Sequence, residues 1–258
     1  MIKDIRNDSA KYYDIGRRDP PNDIPFYKDL IPSPNVSILE LGCGTGRVTI
    51  PLSENCKFIY GIDISPTMLD ICRQKINDLN IPKTKLQIAV GDITKFKLDR
   101  KYDFIIAPYR VLQNIEKDED VDGLFHCIRK HLAPKGTCIL NVFKPFRPPE
   151  LLCKEWVNNR ETFCWEAPYK NGKVVCYDCR SRMDKENLIL YPDLIYRYYE
   201  NEKLQEEIVL NIVMRCYYPD TFENLILKHN FKIVNKWGGY QGETYGQGNE
   251  LVIQFCEK

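Results

Sequence analysis

Five short apolar runs between positions 36 and 143 alternate with segments of helical hydrophobic spacing, and this alternation most constrains the fold. Strands joined through helices must cross over before pairing, so they build a parallel sheet with helices packed on its faces. The runs are VSILEL (36–41), FIYGID (58–63), LQIAVGD (86–92), YDFIIA (102–107) and TCILNVF (137–143). Between the second and third, Ser65-Pro66 reads as an N-cap followed by proline at the first helical position. The helix it opens places Met68, Leu69, Cys72, Ile76 and Leu79 on one face. The segment 118–132 begins acidic and ends basic, which suits a helix dipole, and Pro134 and Gly136 are expected to stop it.

After Phe143 the texture changes. Long aromatic runs separated by polar turns fill 144–218 and predict an antiparallel meander of about four strands, with Asn171-Gly172 as a hairpin signal. The alternating pattern then resumes: Asp220 is expected to cap a helix over 221–230, and FKIVNKW (231–237) and ELVIQFCEK (250–258) read as strands. The expected architecture is α/β, a seven-stranded sheet with helices on both faces and an antiparallel β cap inserted after the fifth strand. Residues 1–35 would form a helical cover, 36–143 with 219–258 the core, and 144–218 the cap.

Thirty-seven basic residues against 36 acidic ones leave a formal charge of +1, without the basic excess by which nucleic-acid binders gain affinity from phosphates. Apolar residues at 43% and charged residues at 28% are those of a globular chain. No run approaches the roughly 18–20 apolar residues that span a bilayer. The start, MIKDIRNDSAKYYD, lacks the apolar centre of an export signal, so the 11 cysteines are expected to be reduced and the protein cytoplasmic. Cys176-x-x-Cys179 has no partner pair and lies in a strand-like run, where residues three apart face opposite ways, so no metal is expected.

The chemical signal is Glu40-Leu-Gly42-Cys-Gly44-Thr-Gly46, set between the first strand and a helix. Glycines there let the backbone turn tightly and approach a ligand. Asp63 closes the next strand, a position suited to ribose hydroxyls. The dinucleotide fingerprint requires a third glycine where this chain has Arg47, and no Gly-Lys-Ser/Thr follows for a P-loop.

In these residues the sequence resembles the class I S-adenosylmethionine-dependent methyltransferases: ILELGCGTGR (38–47), YGIDIS (60–65), VGDI (90–93), YDFIIA (102–107) and LAPKG (132–136). The resemblance covers about 36–143, resumes near 219, and implies a Rossmann-like methyltransferase sheet with S-adenosyl-L-methionine as cofactor. It implies that Gly42, Gly44 and Gly46 line the methionine part, with Glu40 near its ammonium. Asp63 would take the ribose hydroxyls, Ile64 and Met68 the adenine face, Asp92 and the Ile93 amide the adenine edge. Ala107 would lie under the sulfonium, and Tyr13 of Tyr12-Tyr13-Asp14 would close over the cofactor.

Methyl transfer from a sulfonium is an in-line displacement, so no Ser-His-Asp order is needed, and His126, His131 and His229 read as surface or helix-end residues. Ala107-Pro108-Tyr109-Arg110 departs from the Asn/Asp-Pro-Pro-aromatic tetrapeptide of base-methylating relatives, and Asp19-Pro-Pro-Asn22 reads as a loop. Candidates for the acceptor side are Tyr109, Arg110, Tyr240 and Tyr245. The last two sit in GGYQGETYGQGN (238–249), whose glycines predict a mobile lid that also carries Glu243. The expected function is methyl transfer to a small-molecule acceptor, without membrane or nucleic-acid partner. The alternatives are an RNA methyltransferase and a non-catalytic cofactor-binding protein.

Overall fold

The computed structural model describes residues 4, 6–16 and 22–258. Seven strands form the main sheet: β1 (Ser37–Leu41), β2 (Phe58–Asp63), β3 (Leu86–Val90), β4 (Tyr102–Ala107), β5 (Leu132–Phe143), β11 (Phe231–Trp237) and β12 (Glu250–Glu257). Their order is β11-β12-β5-β4-β1-β2-β3. The first five pair in parallel, and β12 is antiparallel to both neighbours, so β11 again runs with the first five. Chain direction reverses its path between β1 and β4, the switch point at which open α/β sheets bind ligands.

Each face of this sheet carries its own core. On one side α5 (Asp118–His131) and α7 (Pro219–Lys228) press Phe125, Ile128, Phe222 and Ile226 against Ile105, Leu140 and Phe255. On the other, α2 (Asp23–Asp29) and α3 (Thr49–Ser53) set Tyr27 and Leu52 against Ile38, Phe104 and Ile139. The helix after β2, α4 (Pro66–Asp78), starts as its sequence requires: Ser65 Oγ accepts the Met68 N–H at 3.2 Å, with Pro66 next in line. The α5 segment has Asp118, Glu119 and Asp120 in its first turn and Arg129, Lys130 and His131 in its last.

A second sheet occupies the stretch between β5 and α7. After α6 (Pro149–Glu155) come β6 (Glu161–Tyr169), β7 (Gly172–Asp184), β8 (Ile189–Glu200), β9 (Lys203–Asn211) and the two-residue β10 (Met214–Arg215), all antiparallel. Its departure and return are tied by one buried side chain. Gln113 Oε1 accepts the Phe143 N–H at 2.7 Å, and Gln113 Nε2 donates to the Arg215 carbonyl at 2.8 Å. The short α1 (Ala10–Gly16) joins the two sheets. Tyr12 is buried against Tyr169 and Tyr196 and its hydroxyl bonds to Glu206, while Asp14 accepts from Thr45 Oγ1 at 2.8 Å and Lys75 Nζ at 2.7 Å.

Several local expectations need correction. The hairpin turn is Lys170-Asn171, one residue earlier than read, with Gly172 already in β7, where a Cβ would lie 1.9 Å from the Tyr199 carbonyl. The helix α7 is capped by Tyr218 rather than Asp220: Thr221 Oγ1 accepts the Tyr218 N–H at 2.8 Å. His131 ends its helix as expected, but at 1% exposed it is buried rather than on the surface. Its Nε2 accepts the Leu98 N–H at 2.9 Å and its Nδ1 meets the Cys127 carbonyl at 2.7 Å, so both ring nitrogens are spent on packing. The helix before it ends at His131, and β5 begins at once, taking in Pro134 and Gly136. Residues 19–21 of Asp19-Pro-Pro-Asn22 lie outside the described residues.

Candidate functional site

The glycine loop leaves β1 at the carboxyl edge and is pinned to β2. Gly42 and Cys43 donate to the Ile62 carbonyl at 2.7 and 3.0 Å. Gly42, Gly44 and Gly46 have φ of 77°, 52° and 81°, a left-handed region that side chains resist. At Gly42 and Gly46 a Cβ would strike Val111 and Cys72 at 2.6 and 2.5 Å, so these two are needed for packing. At Gly44 it would stand 3.3 Å from Met68 Cε and 3.9 Å from Asp63 Oδ2. Gly44 thus faces the gap between loop and strand end, where a ligand would lie.

Asp63 is held ready there. Oδ2 accepts the Gly44 N–H at 2.8 Å and Oδ1 the Ser65 N–H at 2.9 Å. Burial pushes its carboxyl above the usual value despite those two bonds. Each oxygen keeps a lone pair for a hydroxyl donor. Next to it, Ile64 is 39% exposed and Val90, the neighbour of Asp63 on β3, 43%, while Met68 is 3% exposed. An exposed aliphatic beside a braced carboxylate fits an adenosine: base on Ile64, ribose on Asp63. Asp92 serves its own turn, accepting Thr94 N–H and Oγ1 at 3.0 and 2.7 Å and pairing with Lys95 at 3.0 Å. These bonds outweigh burial and hold its carboxyl below the usual range. Ile93 packs on the core, and Ala107 is buried at the end of β4.

Glu40 is 2% exposed, with Thr49 Oγ1 donating to Oε2 at 2.6 Å. Burial pushes its carboxyl up to about 8, against the Thr49 bond and the Arg47 charge. Burial thus favours its protonated form, and a cation arriving beside it would take that proton's place. These residues fit S-adenosylmethionine: an acid for the ammonium, an acceptor for the ribose and an apolar rest for the base.

On the acceptor side the structure gathers Tyr109, Arg110 and Tyr240 but not Tyr245. Arg110 bonds through Nε to Glu250 Oε1 at 3.0 Å, and Asn141 Nδ2 donates to Glu250 Oε2 at 3.0 Å. Arg47 lies 5.1 Å from the centre of the Tyr109 ring and pairs with Asp23 at 2.6 Å, both side chains under 10% exposed. Tyr240 is buried against Phe26 and Tyr27 on the α2 face. Tyr245 packs on the opposite face, its hydroxyl donating to the Pro219 carbonyl at 3.1 Å. The loop that carries both tyrosines is tied by Gly238 N–H to the Glu243 carbonyl at 2.7 Å and by Lys144 Nζ to the Gly246 carbonyl at 2.7 Å. Glu243 accepts the Gln241 N–H within the same loop. Tyr13 is half-buried with the Arg6 guanidinium 5.2 Å from its ring centre. Cys176 is buried in the second sheet and Cys179 lies on its other face, and no metal-binding cluster occurs among the described residues.

Asp23, Tyr27, Asn141 and Glu250 were not among the candidates. Each stands far in sequence from its partners, and no local pattern marks it.

Residues 38–136 match the family model described as a methyltransferase domain. The Bacillus subtilis protein YqeM, named as a methyltransferase, is 32% identical over 114 residues, 44% of this chain and 45% of its own length. A dTDP-3-amino-3,4,6-trideoxy-alpha-D-glucopyranose N,N-dimethyltransferase from Streptomyces venezuelae is 25% identical over 47% of each chain. The chain's matches thus span a little under half the length of these relatives. Among solved structures, an S-adenosylmethionine-dependent methyltransferase from Clostridium acetobutylicum superposes with a TM-score of 0.74 at 16% identity, covering 98% of this chain and 96% of that one. That likeness extends through the second sheet and shows a shared fold.

Proposed function

We propose that this chain, a class I S-adenosylmethionine-dependent methyltransferase by its domain over 38–136 and its fold, transfers a methyl group to a small-molecule acceptor. The observation that carries the reading is the joint of Gly44, Asp63 and Ile64 at the switch point, with buried Glu40 behind it. The cofactor supplies a methyl group on an activated sulfonium, so the protein needs no nucleophile of its own. Its residues bind and align. Asp63 fixes the ribose, Ile64 and Met68 carry the base, and Asp92 and Ile93 border it. Gly42, Gly44 and Gly46 shape the loop for the methionine part, and Glu40 meets the ammonium. Ala107 leaves room at the end of β4 for the reacting methyl, and Tyr13 covers it.

The acceptor enters between the β4 edge, where Tyr109 and Arg110 stand, and the inserted sheet over 144–218, which excludes water from the displacement. The sugar N,N-dimethyltransferase among the relatives supports a small polar acceptor, as does a formal net charge of only +1. No helix among the described residues is long and apolar enough to cross a membrane, and all 11 cysteines are free thiols, which supports a cytoplasmic setting. The test is incubation with methyl-labelled S-adenosylmethionine and fractionated cell extract. Label is expected in the small-molecule fraction. Label confined to RNA or protein, or no label with cofactor bound, would refute the proposal.

A further inference from the structure

The chain beyond β4 takes a costly path. Tyr109 and Arg110 have φ of 60° and 68°, two successive side-chain-bearing residues in the left-handed region. A link between a strand and the following 3-10 turn needs nothing of the kind, and glycine at either place would relieve it. Such strain persists only where the surroundings over-determine it, and outliers of this sort gather at functional sites.

The surroundings do so from two sides. On one side, the Arg110 N–H donates to Asn141 Oδ1 at 3.2 Å, Asn141 Nδ2 donates to Glu250 Oε2, and Glu250 Oε1 takes the Arg110 guanidinium. Asn141 is fully buried and Glu250 is 5% exposed, so the amide and carboxylate meet away from water, where losing a partner is costly. The Arg110 side chain keeps 36% of its surface exposed. On the other side, Arg47 spreads over the Tyr109 ring and is held there by Asp23 through one hydrogen bond, Nη1 to Oδ1 at 2.9 Å, and a charge contact of Nη2 with Oδ2 at 2.6 Å. Four separate elements, α2, the glycine loop, β5 and β12, thus spend buried charge and amide groups on one two-residue turn.

What all of this holds is a half-buried ring. Tyr109 is two residues past the end of β4, at the sheet edge where the proposed acceptor must line up with the methyl group. We infer that Asp23, Asn141 and Glu250 are positioning residues that fix the Tyr109 ring as the wall along which the methyl acceptor approaches. The inference rests on the methyltransferase reading for its purpose, and on the two networks for its geometry. Displacement needs the attacking atom within a narrow angle of the line through carbon and sulfur, so a ring that drifts loses rate rather than cofactor affinity.

The experiment places 3-fluorotyrosine at position 109 and records its fluorine resonance in the free protein. The wild type is expected to give one narrow line. Glu250→Ala and Arg110→Gly are expected to split or broaden it, and Glu250→Gln, which still accepts from Arg110 and donates or accepts beside Asn141, to restore a single line. Arg110→Gly relieves backbone strain but strands the buried Glu250 carboxylate, so every line is recorded at a temperature where thermal denaturation shows that variant fully folded. With labelled S-adenosylmethionine and the small-molecule fraction of cell extract, Glu250→Ala should lower the initial rate of transfer at least tenfold. Its cofactor Kd by calorimetry should stay within twofold of wild type. A single unchanged line in both disrupted variants overturns the inference, as does an equal loss of rate and cofactor affinity. A wild type that transfers no methyl overturns the methyltransferase reading and with it the ring's assigned purpose, whereas the fluorine lines would still report the networks.

Discussion

The Gly44 N–H donates to Asp63 Oδ2 at 2.8 Å, so the glycine loop and the end of β2 are one structure before any ligand arrives. The carboxylate proposed to hold two ribose hydroxyls is thereby oriented by backbone bonds from Gly44 and Ser65 rather than left to rotate. Preorganisation of this kind lowers the entropy lost on binding.

Asp63→Ala removes that joint. Two backbone donors lose their acceptor, and stability should fall by about 1–3 kcal/mol. S-adenosylmethionine affinity should fall by about 2–4 kcal/mol, since a charged acceptor for two hydroxyls is gone. Urea denaturation and titration calorimetry measure the two losses separately, and unchanged affinity would contradict the assignment.

The three glycines of the loop should fail differently. At Gly46, alanine meets Cys72 Sγ and Ile50 at 2.5 and 2.9 Å with φ at 81°, so Gly46→Ala should destabilise the fold by at least about 2 kcal/mol. At Gly44 the neighbours are at 3.3 and 3.9 Å, so Gly44→Ala should cost the fold only its backbone strain, about 1–2 kcal/mol, and chiefly reduce cofactor affinity. Gly44→Val, with a branched chain in the ligand's space, should abolish cofactor binding. Melting curves set beside calorimetry for the variants test the contrast.

Glu40 gives the fold a pH dependence of definite sign. Its carboxyl rises from 4.5 to about 8 on folding because burial disfavours the charge. The folded state therefore binds a proton more tightly than the unfolded state. This contribution is complete below about pH 4.5 and is lost as pH rises through about 8. Denaturation of wild type and Glu40→Gln at pH 5 and pH 8 should show wild type losing up to a few kcal/mol more across that interval. Cofactor binding near pH 7, by bringing an ammonium to Glu40, should release a proton, seen as a buffer-dependent heat that Glu40→Gln lacks.

Tyr240 makes a prediction opposite to that for an ordinary buried tyrosine. Its hydroxyl and that of Tyr27 are buried and meet one another in a contact short of a well-formed hydrogen bond. Burial, with Tyr27 and Glu250 nearby, raises the Tyr240 phenol far above its usual range, so it is no base. Tyr240→Phe should leave stability unchanged or raise it by up to about 1 kcal/mol, because a poorly paired polar atom leaves the interior. Tyr240→Ala, which also empties the space beside Phe26 and Tyr27, should cost about 3–5 kcal/mol. Chemical denaturation of the two variants decides.

The parallel sheet was legible because its signals are local. Runs such as FIYGID and YDFIIA, the Ser65-Pro66 start and the acid-to-base order of α5 act through neighbours a few residues apart. The glycine loop with Asp63 was legible for the same reason, being one strand, one turn and one strand end. What escaped depends on distant pairing. Asn141 meets Glu250 across 109 residues and Arg110 meets it across 140, and neither distance leaves a pattern in the chain. The loop over 238–249 misled because glycine there reads as freedom. In the structure Gly248 is glycine because a Cβ would lie 1.9 Å from the Gly238 carbonyl, which is close packing. His131 misled likewise, since a helix-end histidine gives no sign that the Leu98 amide will meet it.

Gln113 makes the inserted sheet an exchangeable part. Its two bonds close the departure at Phe143 and the return at Arg215 against the same turn beside the site, so the joint is finished before any residue of β6 to β9 is specified. The segment between can then vary while those two bonds persist, provided that its contacts with α1 through Tyr169, Tyr196 and Glu206 are kept, since Asp14 of that helix bonds to Thr45 in the glycine loop. On the proposed function, the main sheet would carry the cofactor and the inserted sheet the choice of acceptor. Transplanting a relative's insertion between positions 144 and 214, with Gln113 retained, tests whether that choice resides in the sheet.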